Sequence, residues 1–120
     1  MTGVQTCALP IYFVCEVVNG EVRARNIDPL EFGLPRCDPS DLRGGSPDDN
    51  ADAIRAVFAG EDGGRRSAIL LNAAGAIAAG GHADDLREGL ELAQEAVDSG
   101  AAAARLDELI MFSQGEEGAA

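Results

Sequence analysis

The chain has 120 residues, 46% of them hydrophobic but with no Trp, one Tyr and four Phe, so it suits one domain with an aliphatic core. Its formal net charge is −12 and all nine basic residues are Arg, which excludes a phosphate-backbone or anionic-membrane surface as the natural partner. The absence of Lys removes Schiff-base chemistry and any phosphate loop that ends in Lys.

Residues 1–11, MTGVQTCALPI, show no hydrophobic period and end next to a proline. They look like translated adapter sequence and are set aside as a non-native or disordered leader. Residues 12–27 carry the clearest local signal. Two β-rich runs flank Asn19-Gly20, the dipeptide favoured in a two-residue type I′ turn. That turn sets Val18 against Glu21, Val17 against Val22, Glu16 against Arg23, Cys15 against Ala24 and Val14 against Arg25. Val17, Val22, Cys15 and Ala24 then share one face, continued by Phe13. Glu16 and Arg23 make an opposite-charge cross-strand pair on the other. An isolated two-stranded ribbon is marginal in water, so the hairpin needs a partner.

Residues 28–35, DPLEFGLP, read as a short helical turn with Asp28 as cap and Pro29 in the first position. Phe32 and Leu34 anchor it. Residues 36–45 form a loop. Ser46 opens a helix, with Pro47, Asp48 and Asp49 in its first turn and Ala51, Ile54, Val57 and Phe58 on its inner side; Gly60 ends it. Arg65 or Arg66 begins the next helix, SAILLNAAGAIAA, which is apolar on nearly every face and is expected to be buried on nearly every face. Its small residues allow close helix approach, and Gly80-Gly81 stops it. Asp85 and Glu88 have capping-box spacing, and the helix they start runs to about Ser99 with Leu86, Leu90, Ala93 and Val97 inside. A last helix over residues 101–112 turns Leu106, Leu109, Ile110 and Met111 inward. Residues 115–120 read as a disordered tail. The whole is an α+β unit, an N-terminal β-hairpin followed by about four helices.

Chemistry-bearing residues are sparse. Asp48-Asp49, Asp84-Asp85 and Asp107-Glu108 fall on helix starts or exposed faces, where carboxylates favour the helix dipole and hydration over a chelate. His82, the single His, has no nucleophile near it in sequence. Cys7, Cys15 and Cys37 have no metal or disulfide spacing and read as reduced thiols. No secretory signal is read, and the apolar run of about 12 residues falls short of the ~20 that span a bilayer. Asn72 sits among apolar neighbours and is expected to hydrogen-bond nearby backbone at a cost of ~1–3 kcal/mol if it cannot. Gly44-Gly45 before Ser46 has the look of an anion-binding helix start, but Asp48 and Asp49 fill it with negative charge. No catalytic, cofactor-binding or metal residue is assigned.

The order of segments is more telling than any one of them. Phe32-Gly33-Leu34, Gly44-Gly45 with Asn50-Ala51, Leu71-Asn72-Ala73-Ala74 and Ala96-Val97-Asp98-Ser99-Gly100 follow one another over residues 12–114. In this the chain resembles the C-terminal part of the anthranilate phosphoribosyltransferase family. The resemblance implies a fragment of an α/β phosphoribosyltransferase domain. It implies phosphoribosyl transfer from PRPP to anthranilate in tryptophan biosynthesis, Mg2+ as cofactor of the full-length enzyme, a homodimer when intact, and a cytoplasmic location. It also implies that the partner this chain lacks is the N-terminal part of the same enzyme, because the family's glycine-rich loop, Lys-His-Gly-Asn segment, anthranilate Arg and Asp-Glu magnesium pair all precede the matching stretch. The fragment is therefore expected to be inactive and to bind no Mg2+ itself. The alternatives are a fragment of a related nucleoside phosphorylase or phosphoribosyltransferase, and a small acidic interaction domain with no activity.

Overall fold

The computed structural model describes residues 12–115; the segment 1–11 read as a leader and all but the first residue of the expected tail lie outside it. The hairpin comes first, β1 (Tyr12–Val18) and β2 (Glu21–Ile27), paired antiparallel in the register that the Asn-Gly turn dictates. Asn19 and Gly20 both take positive φ, 52° and 83°, as a type I′ turn requires. The expected Glu16–Arg23 ion pair does not form although the two residues are in register. Arg23 instead lies 3.8 Å from Glu21, two residues away on its own strand, and both side chains are exposed. Water solvates these charges as well as a cross-strand partner would.

A single 3-10 turn, Pro29–Phe32, follows. Asp28 accepts from the Leu30 amide at 3.0 Å, and Glu31 accepts from the Asp28 amide at 3.2 Å. Arg36 returns to Asp28 through both Nε and Nη2. This hydrogen bond from Arg36, followed by that from the Leu30 amide, holds the Asp28 carboxyl below the ordinary carboxylate range. The folded state therefore favours charged Asp28. Its contribution is complete above the ordinary carboxylate pKa and is lost as pH falls through the lowered value. Melting of wild type and Asp28→Asn against pH checks this: wild type melts higher at neutral pH, and the gap closes in acid. The loop beyond holds a second 3-10 turn, Pro39–Leu42, which the sequence reading leaves as irregular.

Four α-helices follow among the described residues: α1 (Pro47–Phe58), α2 (Gly64–Ala79), α3 (Leu86–Asp98) and α4 (Ala101–Ser113). Side chains cap the starts of α1 and α3, whereas α2 and α4 follow Gly63 and Gly100 with no side-chain cap. The Ser46 hydroxyl accepts from the Asp49 amide at 3.1 Å, and Asp49 accepts from the Ser46 amide at 3.3 Å. Asp85 accepts from the Glu88 amide at 2.9 Å, while Glu88 reaches one residue further back, to the Asp84 amide, at 2.7 Å. Replacing Ser46 by Ala removes a side-chain cap and is expected to lower stability by about 1 kcal/mol in a urea titration.

The core lies between α2 and α3. Leu70, Leu71 and Ala74 of α2 meet Leu90, Ala93 and Val97 of α3, joined by Ile27 from the base of the hairpin and Leu34 from the connector. All four positions expected on the inner side of the third helix do face inward. At the crossing, Gly89 lies so close that a Cβ there would stand 2.5 Å from the Ala74 carbonyl oxygen.

Burial expectations fail in part on α1, where Val57 is buried but Ala51 and Ile54, also expected inside, are exposed, and more fully on two other helices. Helix α2 is buried along one side only, at Ser67, Leu70, Leu71 and Ala74, while Asn72, Ala76 and Ala79 are exposed. Helix α4 has no buried residue: Leu106 and Ile110 are half-buried, but Leu109 is 60% exposed and Met111 49%. The reason is the same in both. Each helix meets neighbours along one flank, and no described layer covers the other.

Candidate functional site

A cleft of about 610 Å3 opens between the hairpin and the C-terminal half of α2. Gly75, Ala78 and Ala79 make its helical wall, and their small side chains leave the space unfilled. Val14, Cys15, Glu16, Val17, Val18 and Arg25 form the strand wall, and Asp84 and Leu86 complete the lining. These charges have mixed sign, and no nucleophile is set against a base. His82 sits on the exposed turn after α2, outside the cleft lining.

The acidic pairs behave as helix starts and surface charges. Asp49 and Asp85 are occupied as caps. Asp107 lies 3.8 Å from Arg55, and Glu108 lies 3.1 Å from Arg105. Among the described residues no three His, Cys, Asp or Glu side chains gather as a cation would need.

The Gly44-Gly45 segment is closed by side chains of α1. The Gly45 amide donates to Asn50 Oδ1 at 2.9 Å, and Asn50 Nδ2 donates back to the Gly45 carbonyl at 3.4 Å. The backbone groups that an anion would use are thus engaged, and the carboxylate of Asp49 stands over Gly45. The sequence pairing of Gly44-Gly45 with Asn50 is a structural latch.

Asn72 is exposed, and its Nδ2 donates to the Ala68 carbonyl one turn back at 2.8 Å. The expected backbone hydrogen bond is present. The expected cost of losing it is not, because water can replace it at an exposed site. Asn72→Ala should shift stability by less than about 0.5 kcal/mol, measurable as an unchanged urea midpoint.

Two arginines that sequence reading passes over tie the fold together. Arg66 is largely buried and donates from Nη2 to both oxygens of Asp98, at 3.0 and 3.2 Å. Its Nε lies 3.6 Å from Asp62, and its Nη1 is buried with no hydrogen-bond partner among the described residues. With two carboxylates beside it, this guanidinium offers an anion little net attraction. Arg87 donates to the Glu31 carbonyl at 2.9 Å and lies 5.0 Å from the centre of the Phe32 ring, pinning the connector to α3. Neither contact has a signature in sequence, since the partners are 32 and 56 residues apart.

Of the cysteines in the described residues, Cys15 is exposed and Cys37 half-buried. Burial, and then the nearby charges of Asp41 and Asp38, raise the Cys37 thiol above its ordinary value. It stays protonated at neutral pH, which disarms it as a nucleophile. The described residues thus supply packing, caps and salt bridges but no reactive pair.

The comparisons are correspondingly informative about membership. A family described as "Glycosyl transferase family, a/b domain" matches residues 4–103. The chain is 47% identical over 103 residues to the anthranilate phosphoribosyltransferase of Bradyrhizobium diazoefficiens, covering 86% of this chain and 31% of that protein. It is 47% identical over 100 residues to the enzyme of that name from Rhodopseudomonas palustris strain HaA2, covering 83% of this chain and 30% of the relative. The similarly named protein of Methanocorpusculum labreanum is 41% identical over 103 residues, with 86% and 30% covered. The chain therefore spans about 30% of the length of these curated relatives.

Proposed function

This chain belongs to the glycosyl transferase family, within its a/b domain, and from that premise we propose that it is the C-terminal structural portion of an anthranilate phosphoribosyltransferase. The observation that carries the reading is the shared name of relatives from separate organisms, matched over 100 to 103 residues of this chain. The intact enzyme would move the phosphoribosyl group of PRPP to the amine of anthranilate, with pyrophosphate leaving, in tryptophan biosynthesis. It would work as a homodimer in the cytoplasm.

Within that enzyme this portion is scaffold. Its hairpin contributes two strands to a sheet, and its helices cover one side. The full enzyme would use Mg2+, but the described residues do not fit the ion: Asp49 and Asp85 are engaged as caps, Asp107 and Glu108 face arginines, and no cluster of three ligands forms among the described residues. The substrate-contacting and metal-binding groups belong to the part of the enzyme that this chain does not span. We place the working boundaries at 12–114 for the domain portion, with 1–11 as a leader and 115–120 as a tail.

A chimera tests the reading. Residues 12–114 replace the matching stretch of the Bradyrhizobium diazoefficiens relative, and loss of anthranilate fluorescence is followed with PRPP and Mg2+. The chimera is expected to consume anthranilate, and the 120-residue chain alone to leave the signal flat. A soluble, folded chimera that leaves anthranilate untouched overturns the assignment.

A further inference from the structure

Positive charge is scarce in this chain, nine arginines against 21 acidic residues, and most of it is engaged. Arg23, Arg36, Arg55, Arg66 and Arg105 meet carboxylates, and Arg87 meets a backbone carbonyl. The side chains of Arg25, Arg43 and Arg65 have no ion pair or hydrogen bond among the described residues. Two of these three stand on one groove. It measures about 220 Å3 and lies between the second 3-10 turn, α1 and the first turns of α2. Leu42, Ile54 and Ile69 are its large apolar lining residues, and Arg43, Asn50 and Arg65 supply its polar side chains.

These polar side chains have donors to spare and no free acceptor. Asn50 Oδ1 already accepts from the Gly45 amide, and Nδ2 gives one hydrogen to the Gly45 carbonyl, which leaves its second hydrogen without an acceptor among the described residues. No carboxylate lines the groove. Three other clefts differ in this: one has Glu16 and Asp84, one has Asp41, Glu61 and Asp62, and one has Asp62. Arg65 also borders the second of these, yet it pairs with none of its three acids. Those acids and their neighbours are held elsewhere. Asp41 accepts from the Asp38 amide at 3.1 Å, Asp49 from the Ser46 amide at 3.3 Å, and Asp62 lies 3.6 Å from Arg66. Helix α2 begins beside Arg65 with no side-chain cap and no acidic residue in its first turn, so the positive end of its dipole adds to the same field. In a chain of net charge −12 the groove is both apolar and locally positive.

We propose that this groove binds a small aliphatic monocarboxylate, its carboxylate held by Arg43 and Arg65 and its apolar body laid against Leu42, Ile54 and Ile69. Charge selects the head: an arginine fork matches the two oxygens of a carboxylate, and such charge-assisted bonds are about twice as strong as neutral ones. The apolar lining selects the body. A compact, strongly hydrated anion such as phosphate would leave that surface unfilled and lose water to reach it, and a neutral apolar molecule would leave both guanidinium groups without a partner. Volume sets the size. The groove is smaller than the 300–1,000 Å3 of drug-sized sites, and at about 30 Å3 per water-sized group it has room for about seven. The inference does not rest on the family reading.

Hexanoate is the probe, titrated into the full 120-residue chain while amide shifts are followed by two-dimensional NMR. Saturable shifts centred on residues 42–44, 53–54 and 65–69 are expected, with half-saturation on the order of 1 mM for so small a ligand. Hexanamide keeps the shape and loses the charge, acetate keeps the charge and loses the body, and inorganic phosphate offers charge alone. Each is expected to bind about 10-fold or more weaker. Arg43→Gln and Arg65→Gln should each weaken hexanoate about 10-fold. Arg105→Gln, which removes the same charge from an exposed pair on α4, should bind as wild type. Circular dichroism confirms that each variant keeps its fold, and the comparison of ligands needs no variant. Hexanamide or phosphate binding as well as hexanoate overturns the proposal. So do shifts centred elsewhere, shifts that do not saturate, or unchanged affinity in both Gln variants.

Discussion

Replacing Gly89 by Ala is expected to lower stability by about 2 kcal/mol or more, although the same change in an open helix raises it by ~1 kcal/mol through helix propensity. The sign is decided by what the methyl group would meet. A Cβ at residue 89 stands 2.5 Å from the Ala74 carbonyl oxygen and 3.2 Å from its carbonyl carbon and Cα. Backbone of a packed helix cannot swing aside as a flexible side-chain tip can. Ala74 is itself fully buried, so α2 and α3 would have to part along the line that holds Leu70, Leu90 and Ala93. A fall in the urea midpoint checks this. A rise would mean that the two helices have room to separate.

Leu70→Ala is the second large effect, about 3 kcal/mol by the usual cost of a buried leucine truncation. Leu70 is 1% exposed and belongs to the cluster that joins the hairpin base, the connector, α2 and α3. The described core holds nine buried hydrophobic residues, two of them alanine, so such a loss takes a large share of a domain stability that is ordinarily about 5–15 kcal/mol. Leu109→Ala is the control. At 60% exposed it should shift the midpoint by less than about 0.5 kcal/mol. Equal effects at the two leucines would contradict the core as described.

These two positions show where the sequence is legible. The pattern of α3 is plain because its apolar residues recur at helical spacing against a polar opposite face, and Leu86, Leu90, Ala93 and Val97 all turn inward. The hairpin register is plain because Asn19-Gly20 admits one turn type. The caps at Asp28, Ser46 and Asp85 are plain because they act within four residues. Gly89 is not legible: inside a helical pattern it reads as a weak residue, and only the approach of Ala74 shows its purpose. Arg66 and Arg87 are hidden for the same reason, as their partners are distant in sequence.

The burial of α2 and α4 misleads in a different way. Apolar composition says that a surface is to be covered, but not by which chain. Leu109, Met111 and Phe112 of α4 and the outer face of the hairpin are exposed here. The family resemblance was readable from the order of short segments, and the matched family and relatives bear it out. The candidate site was legible mainly as a set of residues with other employment. Asn50 latches Gly45, Asp49 and Asp85 cap helices, and Cys37 is a protonated thiol.

The most direct measurement is anthranilate fluorescence, with PRPP and Mg2+, for the chimera in which residues 12–114 replace the matching stretch of the Bradyrhizobium diazoefficiens relative. The chimera should consume anthranilate, and the 120-residue chain alone should leave the signal unchanged. A soluble, folded chimera that leaves anthranilate untouched, or turnover by this chain alone, would contradict a scaffold portion of this enzyme.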